Sequence, residues 1–410
     1  MGHLYRQITR DKKDRMVQQM RIRSREEKGK KAGKNRWRLL TAAVLLIVSA
    51  FLMVLAARHP GFAEWYSETI YPLFVEGIGR MWGAFPFSVS ELALYGLILV
   101  FVLTAVVTAA RIIQIITAAE KGSAGRMGRD RAAQFFVSWL SAVLIVAGIL
   151  AFLYTVCCGI NYHRKSFSEE EGIITYHYSV EELKEICLWL TEEVNSLAGG
   201  TRGGGSSLIK RDENGVMMLD APEGEGAVAA MESLAEQFPT LKGYYPQPKK
   251  LLVSQILSYQ GLTGVYSPFT VEANYNGDMT AYNIPFTTCH ELSHLRGFMQ
   301  EEEANFIAFL ACIGSERPDF QYSGYLSGWV YCMNALYRSD YDTWQEVRPL
   351  LAEEAEPDLA ADRAFWDSYE GKISETADRV NDAYLKVNGQ ADGVQSYNRM
   401  VDLIVAYFGE

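Results

Sequence analysis

In HELSHLRGFMQEEEAN (residues 290–305), two histidines stand four residues apart, and three consecutive glutamates begin seven residues after the second histidine. Positions i and i+4 share one face of a helix, so the imidazoles of His290 and His294 can reach one ion while Glu291 lies beside it. Gly297 follows shortly and predicts the end of that helix. The stretch is therefore predicted to carry half of a metal site on one short helix.

Zinc is the metal that this pattern favours, and a catalytic zinc ion takes three protein ligands and leaves one position for water. No histidine follows His294 in the chain. A metzincin-type third histidine is disfavoured, because Gln300 stands at its position and glutamine is a poor zinc ligand. The remaining candidates for the third ligand are Glu301, Glu302 and Glu303.

Glu301 is the preferred third ligand. A helix that begins just before it would place Glu301 on the same face as three small residues, which would let this helix lie close to the histidine helix. These residues are Ala304, Ala308 and Ala311. A reversal of the chain at Gly297 would bring Glu301 back toward the ion. We expect Glu302 and Glu303 to lie in a solvated first turn, where carboxylates complement the helix dipole.

Two supporting roles are expected around the metal. Asn305, one turn beyond Glu301, could accept a hydrogen bond from the outer N–H of a ligand histidine and so fix its tautomer. Zinc hydrolases also place a side chain opposite the general base to stabilise the developing oxyanion. The candidates for that role are Arg296, Tyr322 and Tyr325.

The arrangement Glu301-x-x-Ala304-Asn305 behind His290-Glu291-x-x-His294 resembles the gluzincin pattern of zinc metallopeptidases. In that pattern the first glutamate is the third zinc ligand and the last polar residue supports a ligand. Four other stretches are WGAFPFS (82–88), GINYHR (159–164), YSPFTVEAN (266–274) and VNDAYLK (380–386). Together they resemble a bacterial family of membrane proteins that carry this zinc motif and have no assigned function. The resemblance implies architecture and metal, and it is silent about substrate.

The length of 410 residues leaves room for a membrane region and one sizeable globular domain. Three apolar runs in the first 160 residues are long enough to cross the hydrocarbon core of a bilayer. They cover residues 39–57, 92–110 and 135–157. We therefore expect a basic tail (1–38), an α-helical membrane region with three transmembrane helices (39–160) and an outer domain (161–410).

The distribution of charge predicts how the chain is oriented in the membrane. Residues 1–38 carry fourteen Lys and Arg against four acids, which is typical of the cytoplasmic side. The loop after the first apolar run has only Arg58 and Arg80, whereas residues 111–134 have five basic side chains. This alternation predicts a multi-pass protein of the cell membrane with a cytoplasmic N-terminus and an extracytoplasmic C-terminal domain.

The basic tail could in principle bind nucleic acid, since clustered Lys and Arg attract phosphate. This tail lacks interleaved aromatic residues and leads directly into an apolar run. Anionic membrane lipid is the simpler partner. We therefore expect membrane lipid and no nucleic acid among the partners.

The outer domain is expected to have an α+β, zincin-like and mostly helical fold. Helices are predicted near residues 180–197 and 222–237 and again beyond Gly314. β-type segments at 250–256 and 264–275 precede the zinc helix. In zincins an edge strand at this place holds extended substrate. Residues 265–276 could do so, or they could form a plain core strand.

These features predict a membrane-anchored zinc metallopeptidase that hydrolyses peptide bonds in a peptide or protein substrate. Zn²⁺ held by His290, His294 and Glu301 would lower the pKa of a bound water, and Glu291 would take its proton and return it to the leaving amine. The alternative is a non-catalytic membrane receptor or scaffold with a structural or vestigial zinc site. The presence of Glu291, which a purely structural site does not need, favours the enzyme.

Overall fold

The computed structural model of the chain describes residues 2–120, 125–199, 205–220 and 222–409. Within these residues the fold is mostly helical, with one small mixed sheet of three strands. The chain divides into two compact units. The first unit contains residues 1–51 and 94–153, and the second contains residues 52–93 and 154–410.

The helices and strands follow one another along the chain with short connections. The helices are α1 (Gly2–Arg58), α2 (Pro60–Thr69), α3 (Tyr71–Phe74), α4 (Arg80–Gly83), α5 (Val89–Glu120), α6 (Gly125–Cys157), α7 (Phe167–Glu170), α8 (Val180–Ala198), α9 (Glu223–Gln237), α10 (Gln255–Tyr259), α11 (Asn283–Leu295), α12 (Glu301–Ile313), α13 (Pro318–Ser339), α14 (Tyr341–Val347), α15 (Glu356–Asp367), α16 (Lys372–Val387) and α17 (Met400–Phe408). The strands are β1 (Lys249–Lys250), β2 (Gly264–Ser267) and β3 (Glu272–Tyr275). Short 3-10 turns lie at 159–163, 239–241, 348–350, 353–355 and 393–399, and a π-helical turn lies at 75–79.

Among the described residues, three helices are long and apolar enough to cross a membrane, and their apolar parts are Gly29–Arg58, Val89–Thr117 and Ala132–Cys157. The three spans predicted from the sequence lie inside these parts. Many of the large apolar side chains on these helices are exposed. Helices that face lipid present such a surface, whereas helices of a soluble core do not. The helices therefore support association with a membrane.

Helices α11 and α12 form the centre of the second unit. They pack against each other, and α9 and α13 pack against both. The residues of α11 from Ile284 to Leu295 are all buried. A helix that is buried on every side is ordinarily apolar all around, yet α11 carries Thr, His, Glu and Ser side chains. Since buried polar groups are costly without partners, these side chains mark a candidate functional site.

The small sheet has the order β1-β3-β2, in which β1 is parallel and β2 antiparallel to β3. The expected strand at 250–256 is wrong beyond Lys250, because the chain there turns into α10. The expected single segment at 264–275 is two strands joined by a turn. The consequence is that β2 is an edge strand among the described strands, while β3 is the central one.

Two buried carboxylates join the sheet to the first turn of α5. Glu272 accepts hydrogen bonds from the backbone N–H groups of Val89 at 3.1 Å and Ser90 at 2.8 Å. Glu91 in turn accepts from the backbone N–H groups at positions 252 and 253, at 2.8 and 2.9 Å. The first contacts satisfy N–H groups that a helix start leaves unpaired. They are among the contacts that group residues 52–93, which we assigned to the membrane region, with the second unit.

Asp358 is a fully buried carboxylate in the interior of the second unit, and it accepts hydrogen bonds from three donors. It accepts hydrogen bonds from Arg211 Nη1 at 2.8 Å, Met217 N at 2.7 Å and Tyr322 Oη at 2.6 Å. Asp358→Ala would leave the guanidinium without its carboxylate, which costs about 3–5 kcal/mol. We expect the melting temperature, followed by tryptophan fluorescence in detergent, to fall by about 10 °C.

Glu356→Ala is the matched control, because it removes an exposed partner of Arg348 two residues away from Asp358. Exposed pairs contribute about 0–1 kcal/mol, so the melting temperature of this variant should stay within about 2–3 °C of the wild type. Equal falls in melting temperature for the two variants would show that Asp358 stabilises the fold no more than the exposed Glu356 does.

Candidate metal centre

The turn between α11 and α12 is closed by a glycine in the left-handed region. Gly297 has φ +96°. The backbone N–H of Phe298 donates to the carbonyl of Ser293 at 3.2 Å, and the N–H of Gly297 donates to that of His294 at 2.9 Å. These two bonds form a Schellman motif, which ends the helix and reverses the chain. The reversal brings α12 back alongside α11, as the position of Gly297 in the sequence predicts.

The two histidines and the first glutamate of the run meet in the interior. Nε2 of His290 lies 3.2 Å from Oε2 of Glu301, and Nε2 of His294 lies 3.5 Å from the same oxygen. The three potential ligand atoms lie within 4.8 Å of one another, and all three residues are buried. Donor atoms around a tetrahedral zinc ion are about 3.3 Å apart, so the spacing fits such an ion.

The hydrogen bonds of these side chains also suit a metal site. Nδ1 of His294 lies 2.8 Å from the carbonyl oxygen of Phe298. A proton on Nδ1 would donate to this carbonyl and leave Nε2 with a free lone pair for an ion. Oε2 of Glu301 is buried, and no hydrogen bond of good geometry reaches it from the described residues, although both Nε2 atoms lie near it. A buried carboxylate oxygen without a donor is a position that a cation would satisfy.

The charges of the cluster favour an ionised glutamate. Burial opposes the charge on Glu301, but the attraction of His294 and His290 outweighs it and lowers the pKa of Glu301 to about 2. Burial likewise opposes the charge on His294, and Glu301 outweighs it and raises the pKa of His294 to about 9. Burial, with the neighbouring charge of His294, lowers the pKa of His290. Glu301 therefore presents a negative charge to any cation between the imidazoles.

Glu291 lies between the two histidines in sequence and faces β2. Its side chain is buried, and its Oε2 has no partner among the described residues. Burial raises the pKa of Glu291 to about 8, with Glu301 adding to the effect and His294 opposing it. A Cβ added at Gly264 would lie 2.9 Å from the carboxyl carbon of Glu291. The absence of a side chain at Gly264 is what lets the strand approach this carboxylate.

A cavity of about 600 Å³ is lined by the three cluster residues, Glu291 and the start of β2. Asn305 also lines this cavity, as expected of a residue one turn beyond Glu301. Its Nδ2 lies 3.5 Å from Tyr331 Oη and 3.4 Å from the carbonyl of Tyr397. Nδ1 of His290 has no partner of good geometry in the described part of the chain. The expected support of a ligand histidine by Asn305 therefore stays a prediction.

The three residues named for oxyanion stabilisation lie outside the lining of this cavity. Tyr322 donates to Asp358 at 2.6 Å. Tyr325 packs edge-on against Trp189, with ring centroids 5.8 Å apart. Arg296 lies in a separate cavity of about 390 Å³. It follows the end of α11, where the chain has already turned away from the two histidines.

Tyr331 and Tyr397, which the sequence analysis did not name, are two of the six tyrosines among the described residues that line the cavity. Tyr331 comes from α13, and Tyr397 comes from the 3-10 turn near the C-terminus. Burial and the charge of Glu301 raise the pKa of Tyr331 to about 12 and the pKa of Tyr397 well above its ordinary value. Both hydroxyls therefore keep their protons near neutral pH. No local motif distinguishes these two positions from the other tyrosines of the chain.

The other two glutamates of the run do not reach the cluster, and neither is solvated as we expected. Glu303 is buried, and it accepts hydrogen bonds from the backbone N–H of Ser168 at 3.0 Å and from its hydroxyl at 2.5 Å. Glu302 is half-buried and accepts from Gln390 Nε2 at 2.7 Å. The expectation failed because α7 and the segment after α16 cover this first turn.

The part of the chain that the structure describes is thus mostly helical, with three candidate membrane spans and a buried cluster of two histidines and one glutamate. The family described as "Protein of unknown function (DUF3810)" matches residues 66–405, and the chain belongs to that family. No curated protein and no solved structure matches the chain. The expectation of a family without an assigned function is confirmed.

Proposed function

We propose that this chain is a membrane-anchored zinc-dependent peptidase with a zincin-like, gluzincin-type site. The observation that carries the proposal is the meeting of His290 Nε2, His294 Nε2 and Glu301 Oε2 beside the unpartnered carboxylate of Glu291. The three ligands leave one position open, which is typical of catalytic zinc and not of structural zinc. When bound, the ion would supply Lewis-acid chemistry and make water acidic enough to attack at neutral pH.

Glu291 is the general base in this proposal. It is buried, it lines the cavity, and its Oε2 has no donor within the described chain. A carboxylate whose pKa lies near neutrality can both accept a proton from water and return it to a leaving amine. Oε2 of Glu291 would take the proton of the attacking water and then deliver it to the nitrogen of the cleaved bond.

Of Tyr331 and Tyr397, Tyr331 is the stronger candidate for stabilising the oxyanion. Its hydroxyl oxygen lies 3.5 Å from Asn305 Nδ2, so it can accept there and keep its own proton for a substrate oxygen. Its high pKa means that it donates without ionising. Preorganised donors of this type are among the larger contributions to rate in acyl transfer. We assign Tyr397, which also lines the cavity, as a second donor.

Strand β2 is suited to hold the backbone of an extended peptide. The N–H of Asn276 donates to the carbonyl of Thr263 at 2.8 Å, which makes this pair a hydrogen-bonded one. Antiparallel pairs alternate, so the main-chain groups of Gly264 and Tyr266 point away from β3. An extended peptide could therefore add to this free edge, as in other cases of strand addition.

The charges and the three candidate spans support one orientation. Fourteen Lys and Arg in residues 1–38 favour a cytoplasmic N-terminus, and three crossings would then put the C-terminal unit outside. We therefore assign hydrolysis to the outer face of the cytoplasmic membrane, with anionic lipid around the basic tail. The acidic balance of the C-terminal part, 18 basic against 39 acidic side chains, agrees with a solvated domain.

Hydrolysis by the purified full chain tests the proposal. The protein in detergent micelles, loaded with one equivalent of zinc, is mixed with a library of fluorescence-quenched peptides. We expect cleavage that stops when a chelator removes the metal and when a hydroxamate occupies the site. Zinc binding without cleavage of any peptide would contradict the peptidase and support a receptor or scaffold.

Gly264→Ala tests the close approach of β2 to Glu291. The added methyl group would push the strand or the carboxylate aside, because the Cβ would lie 2.9 Å from the carboxyl carbon. We expect kcat/KM to fall about tenfold or more while the zinc content stays at one ion per chain, since a misplacement of about 1 Å is costly in catalysis. Gly61→Ala, a helical glycine with open space around it, is the control. Full activity of Gly264→Ala would argue against Glu291 as the base.

A further inference from the structure

We propose that the cavity selects peptides with an Arg or Lys side chain two or three residues from the cleaved bond, and that Asp378 determines this preference. The inference rests on the proposed peptidase function and adds a substrate class to it. It comes from the charges that line the cavity and from the position of one exposed carboxylate at its rim.

The lining of the cavity is acidic. Four carboxylates line it, those of Glu291, Glu301, Asp362 and Asp378, and no Lys or Arg is among the described lining residues. A bound divalent ion would offset the charges of Glu291 and Glu301. The charges of Asp362 and Asp378 would remain, and a cleft lined by one sign of charge attracts ligands of the other sign.

The two remaining aspartates differ in their surroundings. Oδ1 of Asp362 accepts hydrogen bonds from Thr280 at 2.9 Å, Asn283 at 2.6 Å and Trp366 at 3.1 Å, so this carboxylate is fixed in place. Asp378 on α16 is exposed, and no described side chain forms a hydrogen bond or ion pair with it. Asp378 is therefore the carboxylate that is free to bind a cationic side chain.

One position in β2 and one in the turn just before it set the distance between Asp378 and the cleaved bond. Gly264, the first residue of β2, lies against Glu291, and a Cβ at Gly261, in the turn, would lie 3.8 Å from Oδ1 of Asp378. The chain from Gly261 to Gly264 spans at most about 10 Å, which corresponds to at most about three residues of an extended peptide. A side chain of Arg or Lys at that distance from the cleaved bond could reach Asp378 at the rim.

The test compares arginine with citrulline, its uncharged isostere. The substrates are mixtures of fluorescence-quenched octapeptides made of neutral residues, and each mixture carries either arginine or citrulline at one fixed position. For one position of the varied residue, we expect the zinc-loaded full chain to cleave the Arg mixture with a kcat/KM about tenfold higher than that for the citrulline mixture. Asp378→Asn should lower this ratio to about threefold or less. The control Glu375→Gln, a change on the same helix away from the cavity lining, should keep it.

Equal cleavage of the Arg and citrulline mixtures at every position would overturn the proposal, and so would a ratio that Asp378→Asn leaves unchanged. If the wild type cleaves no peptide, the peptidase function fails and the substrate class is tested by binding of the same mixtures to the zinc-loaded protein. Tighter binding of an Arg mixture that weakens in Asp378→Asn would support the cationic site without hydrolysis. Equal binding of both mixtures would overturn it.

Discussion

A Glu291→Gln protein is expected to keep one zinc ion per chain and to lose peptide hydrolysis by a factor of about 10²–10⁴. The amide is nearly isosteric with the carboxylate, so the buried space beside Gly264 is filled as before. It cannot accept the proton of the attacking water, and the leaving amine receives none. Elemental analysis gives the zinc content, and the quenched-peptide assay gives kcat.

The control for this variant is Glu302→Gln, which removes a carboxylate from α12 outside the cavity lining. Its zinc content and its activity should equal those of the wild type. Full activity of Glu291→Gln would remove Glu291 from the mechanism. Loss of zinc from Glu291→Gln would instead make Glu291 a part of the metal site.

The second large effect is expected from Glu301→Gln, which should lower the zinc content from one ion per chain to about one tenth or less. The amide carries no charge to attract the cation, and glutamine is a poor zinc ligand. A protein that binds an ion in its folded state only is stabilised by that ion. The rise in melting temperature on adding zinc to the wild type should therefore be lost in Glu301→Gln.

His290→Ala should give the same loss of zinc, because it removes a ligand atom from the opposite helix. Glu302→Gln again serves as the control, and its melting temperature should rise with zinc as in the wild type. Full zinc binding by Glu301→Gln, or a loss in Glu302→Gln, would move the third ligand away from Glu301.

The part of the site that the sequence predicts is the part formed by neighbouring residues. The spacing of His290 and His294 places them on one helical face, and Gly297 supplies the left-handed turn that returns the chain. With no later histidine, the carboxylate that follows the turn is the simplest third ligand. Local geometry decides each of these steps, so a single sequence suffices for them.

The rest of the site depends on contacts between distant parts of the chain. Tyr331 and Tyr397 reach the cavity from two other elements, and their sequence surroundings resemble those of many other tyrosines. Glu303 is buried because Ser168, far away in the chain, donates to it. Strand β3 likewise pairs with Lys249 and Lys250, which come much earlier in the chain. Such contacts between distant segments cannot be predicted from the periodicity or the spacing of residues in a single sequence.

The three proposed ligands all lie within the twelve residues from His290 to Glu301 and are joined by a single tight turn. Closing so short a loop costs little chain entropy, so bringing the three ligands together depends on fewer long-range contacts than assembling the rest of the site does. The base, by contrast, is positioned by a strand, and the proposed oxyanion donors come from α13 and the C-terminal region. Damage to remote parts of the molecule should therefore yield a protein that still holds its metal and has lost its chemistry.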